Sequence, residues 1–247
     1  MAGHSHSANI AVRKGAQDKA RGKLFTKLSK EIMVAVKLGG EDPDSNARLR
    51  MALAKARSNS VPKDTIKRAI ARASGNVEGL VYEDLVFEGY GPGGTAIMVE
   101  CLTENRNRTA GEVRHAFSKG GGNLGSTGCV GYLFQKKGII FVQGGDEDEV
   151  MMLALDCGAE DVTTEEEGFE IVTGPDDFAS CSDGLTEAGL NIRSATVMQV
   201  PDTRTMVTGD DADKLLKLLE LLDDCDDVQQ IHHNGDISAE ELAKLQD

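Results

Sequence analysis

Lys19, Lys23, Lys27, Lys30 and Lys37 recur at spacings of four, four, three and seven residues. On a helix advancing about 100° per residue they fall within roughly 80° of one another. A row of ammonium groups can neutralise phosphates and release their counterions, which needs charge density more than fine geometry. Arg13, Lys14 and Arg21 flank the row, and Arg48, Arg50 and Lys63 continue the basic character downstream. Arg106, Arg108 and Arg114, with Lys119, make a second basic island in acidic surroundings. Guanidinium forks suit phosphate oxygens, although Glu104, Glu112 or the acidic tail could pair with them instead.

Other chemistries are poorly supported. Gly89/Gly91/Gly94 and Gly120/Gly122/Gly125 spell the dinucleotide-binding glycine pattern. That pattern needs a strand before it and a helix after it, and neither copy has this setting. Ala2-Gly3-His4 could bind copper or nickel adventitiously once Met1 is removed. His232 and His233 are adjacent in a strand, so their side chains point to opposite faces and cannot chelate together. The carboxylate clusters at 146–149, 165–167 and 223–227 lack calcium-loop spacing. They are expected to offset helix dipoles or to stay solvated, aiding solubility and repelling stray nucleic acid. No nucleophile–base pair can be read from the spacing, so neither catalysis nor a cofactor or metal is expected.

The lysine row needs a helix to carry it. Leu24, Phe25, Leu28, Ile32, Ala35 and Val36 supply an apolar face over 17–38, ended by Gly39-Gly40. A turn at Asp42-Pro43-Asp44-Ser45 starts a second helix running to Arg57, with Leu49, Ala52, Leu53 and Ala56 inward. Ser60-Val61-Pro62 opens a third, in which Ile66, Ala69, Ile70 and Ala73 face in while Lys63, Lys67, Arg68 and Arg72 point largely outward. The three form a small bundle.

From Tyr82 the period changes to that of strands. Residues 82–88 and 95–102 pair around a Gly-Pro-Gly turn, and a helix at 107–119, a Gly-rich loop and a strand at 130–135 follow. Residues 137–202 alternate as βαββαβ, the ferredoxin-like order. A strand at 205–208, a Leu-rich helix at 211–223 and a strand at 228–232 could complete the sheet begun at 82.

The residues resemble the YebC/PmpR family, which includes mitochondrial translational activators. The resemblance is carried by Met1-Ala2-Gly3-His4-Ser5, Phe25-Thr26-Lys27-Leu28, Pro62-Lys63-Asp64, Glu88-Gly89-Tyr90-Gly91-Pro92-Gly93-Gly94, Asn105-Arg106-Asn107-Arg108-Thr109 and Gly121-Gly122-Asn123-Leu124-Gly125. These stretches lie in the first 135 residues; the remainder matches mainly in architecture. One departure is His6-Ser7, where the family usually reads Lys-Trp, so an aromatic that could stack on a base is missing from the N-terminal tip. The resemblance implies an α+β multidomain protein. Its parts are a three-helix domain over 1–78, an α+β domain of 79–135 and 203–247, and a ferredoxin-like domain at 136–202 inserted in the second. It also implies a cytoplasmic transcriptional regulator that binds DNA; some relatives instead look like ribosome-associated translation factors meeting ribosomal RNA.

Charge distribution supports a nucleic-acid partner without deciding which. The net charge of −14 divides into 16 Lys+Arg against 6 Asp+Glu in residues 1–75 and 11 against 35 in the rest. A basic head on an acidic body suits a polyanion partner that the body repels. No run of eighteen apolar residues exists, so no membrane span is expected. Five scattered cysteines suit a reducing compartment. A protein–protein adaptor with an incidental basic face is the remaining class of function.

Overall fold

The structure, a computed structural model, describes residues 17–74, 82–165 and 167–244. The chain forms two compact units, one of residues 135–200 and the other of 18–134 with 201–247.

In the larger unit, α1 (Gln17–Gly39), α2 (Ala47–Ser58) and α3 (Lys63–Ser74) make the expected bundle. Leu28, Ile32, Ala35, Leu49, Ala52, Leu53, Ala56 and Ala69 are buried in a shared core. Asn46 fixes the first corner. Its Oδ1 accepts the Leu49 N–H at 3.0 Å, capping α2, while its Nδ2 donates to the Ala35 and Gly40 carbonyls at 2.7 and 2.8 Å. A Cβ on Gly39 would stand 2.7 Å from the Asn46 side chain, so glycine is required for this close approach.

The bundle is followed by β1 (Glu83–Tyr90), a 3₁₀ turn at Pro92–Gly94, β2 (Ala96–Thr103), α4 (Arg106–Lys119) and β3 (Asn123–Leu124). After the smaller unit come β8 (Thr205–Met206), α7 (Asp210–Asp223), β9 (Val228–His233), β10 (Gly235–Asp236) and α8 (Ala239–Lys244). The sheet order is β3-β1-β2-β9, so the late strand β9 does complete the sheet begun at residue 83. Helices α4 and α7 cover one face through Val113, Phe117, Leu215, Leu218 and Leu222, packed on Ile97, Val99 and Val228. β8 and β10 form a separate parallel pair.

The smaller unit contains β4 (Phe134–Gln143), α5 (Glu147–Asp156), β5 (Ala159–Glu165), β6 (Gly168–Thr173), α6 (Phe178–Glu187) and β7 (Ile192–Pro201). Its sheet order, β5-β6-β4-β7, is the ferredoxin-like arrangement. Ile140, Val142, Phe169 and Ile171 pack under Val150, Ala154, Cys181 and Leu185 of the two helices. The strand expected at 130–135 and the first strand of the 137–202 alternation are different in detail. Residues 131–133 are a 3₁₀ turn and β4 is continuous from Phe134, because Glu88 captures the amides of the preceding loop.

Candidate nucleic-acid interface

The lysine row of α1 lies against the acidic end of α7. Lys23 pairs with Asp224. Lys27 Nζ lies 3.2 Å from both the Asp223 carboxylate and its carbonyl oxygen. Lys30 Nζ is 2.6 Å from Asp227 Oδ1. Side-chain exposure falls from 28% at Lys23 to 11% at Lys27 and 15% at Lys30. Lys30 and Lys37 also lie 5.6 and 6.0 Å from the Tyr82 ring centroid. The expectation that Lys23, Lys27 and Lys30 form an open cationic face is therefore corrected. Carboxylates at a helix C-terminus face the negative end of the helix dipole, and lysines from α1 compensate them.

Asp227 is the centre of this cluster and is almost fully buried. Its second oxygen accepts from Arg108 Nη2 at 2.8 Å, Thr109 Oγ1 at 2.7 Å and Thr103 Oγ1 at 3.0 Å. Burial opposes the charge, but the bonds from Lys30, Arg108 and Thr109 outweigh it and hold this carboxyl well below the usual range. The 223–227 cluster, expected to be solvated, is thus partly structural. A recess of about 330 Å³ opens here, lined by Lys30, Tyr82, Glu104, Arg108, Glu112, Asp226 and Asp227. Four carboxylates against two cations already committed to Asp227 make it a poor anion site.

The other expected residues divide in the same way. Arg48 grips Asp84 with both terminal nitrogens, at 3.0 and 2.9 Å, and is half-buried. Arg108 is committed to Asp227 and approaches Glu104 at 3.7 Å. Arg106 and Arg114 are exposed on α4 and, among the described residues, form no ion pair. At about 100° per residue Arg108 and Arg114 lie some 120° apart, so the island is not one surface. Arg50 is exposed and bonds the Pro43 and Asp44 carbonyls. Arg13 and Lys14, with the Ala2-Gly3-His4 tripeptide and the His6-Ser7 departure, lie outside the described residues, as do the side chains of Lys19 and Arg21.

What stays open is α3. Lys63, Lys67, Arg68 and Arg72 are all exposed, and among the described residues none forms an ion pair; Arg57 at the end of α2 is the same. Arg68 bonds only the Asp64 carbonyl and the Thr65 hydroxyl. The four α3 cations span an exposed arc of roughly 180° around the helix, opposite buried Ala69.

The sequence reading missed two structural acids. Asp227 could have been suspected because carboxylates crowded at a helix C-terminus need cations. Glu88 carries no such signal. It is buried on β1 and accepts from the amides of Gly128, Val130 and Gly131 at 2.8, 2.8 and 2.7 Å, pinning the Gly-rich loop.

Groups for other chemistry are muted. Burial pushes the Cys101 thiol up to about 12 and those of Cys181 and Cys225 up to about 11, leaving them protonated near neutrality. Among the described residues no cluster of three or more His, Cys, Asp or Glu could hold a metal. No helix among them is long and apolar enough to cross a membrane.

Residues 5–76 match the family model described as the TACO1/YebC protein N-terminal domain, and 82–235 match that of the TACO1/YebC second and third domain. A relative from Salmonella arizonae, named "Probable transcriptional regulatory protein YebC", is 53% identical over 247 residues, all of both chains. One of the same name from Escherichia coli O6:H1 is 53% identical over 246 residues, covering 99% of this chain and 100% of its own. The crystal structure of a conserved hypothetical protein, Aq1575, from Aquifex aeolicus superposes with a TM-score of 0.83 at 43% identity, over 95% of this chain and 98% of that one. With matches spanning both family models and the full length of curated relatives, the chain belongs to the TACO1/YebC family.

Proposed function

We propose that this protein is a non-enzymatic, cytoplasmic regulator of transcription that binds DNA through the exposed cations of α3 and the end of α2. The carrying observation is that Lys63, Lys67, Arg68, Arg72 and Arg57 are exposed and, among the described residues, form no ion pair, whereas Lys23, Lys27, Lys30, Arg48 and Arg108 are paired with carboxylates. Such groups gain counterion-release free energy on meeting a phosphate backbone. The names of the full-length relatives, probable transcriptional regulatory proteins, support DNA as the polyanion. Phosphate contacts of this kind position a protein without reading sequence.

Crosslinking in cells followed by sequencing of bound DNA and RNA tests the proposal. Enrichment of promoter DNA is expected. Enrichment of ribosomal RNA instead would replace it with a role at the ribosome, and recovery of neither would leave an adaptor function.

A further inference from the structure

Among the described residues, three ion pairs link α1 to the end of α7, and they are unequal. Lys30–Asp227 is enclosed, with side-chain exposures of 15% and 2%, and Asp227 is further held by Arg108, Thr103 and Thr109. The carboxylates facing Lys27 and Lys23 are open to water, at 39% for Asp223 and 60% for Asp224. The difference lies on the carboxylate side, since Lys27, 11% exposed, is as covered as Lys30: a carboxylate standing in water is screened by salt and can give way to another anion, whereas breaking the pair enclosed from both sides leaves a charge buried without its partner.

We infer that Asp223 and Asp224 are a removable cap on a second phosphate-binding surface, in which nucleic-acid phosphates replace their carboxylates at Lys23 and Lys27. Lys30–Asp227 meanwhile keeps α1 in place. The inference rests on the nucleic-acid reading above and adds regulation to it. A carboxylate and a phosphodiester make the same demand on an ammonium group, namely anionic oxygen acceptors within hydrogen-bond distance. Because Asp223 and Asp224 are tethered in the same chain, their effective concentration beside the lysines is high, and dilute simple anions do not displace them. A duplex carries a charge every ~1.7 Å along its axis. Once it is held by the α3 cations, its phosphates are also concentrated locally and can compete. The cap then raises the threshold for binding: loose encounters meet carboxylates, and only an engaged polyanion reaches the lysines beneath.

The test uses the full chain with D223N/D224N, which keeps shape and removes charge, and a short duplex DNA of random sequence titrated from about 50 to 200 mM salt. Removing both pairs, each worth about 1.4- to 5-fold, should tighten binding roughly 2- to 25-fold at the low-salt end. The slope of log affinity against log salt should steepen by up to ~1.8, two neutralised phosphates at about 0.9 each. Adding K23Q/K27Q should abolish the gain. Binding within about twofold of the wild type, or a gain that survives K23Q/K27Q, overturns the cap, the latter because it shows only relief of general repulsion. If α3 charge reversal weakens the wild type while D223N/D224N changes nothing, the cap alone fails. If neither wild type nor D223N/D224N binds DNA or RNA, the nucleic-acid reading fails and the cap with it.

Discussion

Replacing Asp227 by asparagine removes the charge on which Lys30, Arg108, Thr103 and Thr109 converge. Asparagine retains one acceptor oxygen but turns its amide donors toward groups that are themselves donors. Lys30, 15% exposed, would keep its ammonium largely out of water with no counter-charge. Breaking an enclosed pair from one side costs about 3–5 kcal/mol. Arg108 is 45% exposed and can recover hydration, which favours the lower end, about 3 kcal/mol. For a structure of this size that corresponds to a fall in Tm of roughly 6–12 °C. The chain has three tyrosines and no tryptophan, and Tyr82, Tyr90 and Tyr132 all lie in the larger unit. Tyrosine fluorescence during urea unfolding therefore reports that unit selectively. The effect should also depend on pH. The folded-state value of Asp227 lies below the usual carboxylate value of about 3.9, so its contribution is complete well above that value and is lost as pH falls through the folded value. The gap between wild type and D227N should be widest near neutrality and close in acid. A gap under about 1 kcal/mol at neutral pH, below the range for an enclosed pair, would refute the reasoning, as would a gap that stays constant into acid.

Two further substitutions probe the frame around this cluster. Glu88→Gln should cost about 1–3 kcal/mol and speed amide exchange at Gly128, Val130 and Gly131. Burial opposes the Glu88 charge but the three amides overcome it and lower its value, so its contribution should also fade as pH drops below the carboxylate range. Gly120→Ala would place a methyl 2.6 Å from Leu218 Cβ and 2.8 Å from its Cα, which no rotamer change relieves. Chemical denaturation should show a loss of roughly 1–3 kcal/mol or more from overpacking where α4 crosses α7.

The fold was largely legible because each element carries its own period. Leu28, Ile32 and Ala35 mark one helical face, and the strand–helix alternation after residue 137 has few topological solutions. That the strand at 228–232 returns to the sheet begun at 82 followed from counting strands; its place beside β2 did not, and the strand expected at 205–208 pairs with β10 instead of joining that sheet. Short pieces such as β3 and β10, two residues each, have no period to detect. The candidate site was legible only in part. Spacing placed Lys23, Lys27 and Lys30 together on one side of α1, but spacing along one helix says nothing about what packs across from it. Asp223, Asp224 and Asp227 stand about two hundred positions away and meet those lysines only through the tertiary fold. Lys63, Lys67 and Arg68, by contrast, lie opposite an apolar face that must turn inward, so their exposure could be read directly.

The most direct test of the account is the salt dependence of nucleic-acid binding by the wild type and by a variant carrying Lys63→Glu, Lys67→Glu and Arg68→Glu. All three positions are exposed, so the helical signal in circular dichroism should not change. Affinity should collapse, and the slope against log salt should shrink by up to ~2.7, about 0.9 for each phosphate left without its cation. Equal affinity and equal slope in the two proteins, with helical content intact, would contradict the assignment of α3 as the surface that meets nucleic acid.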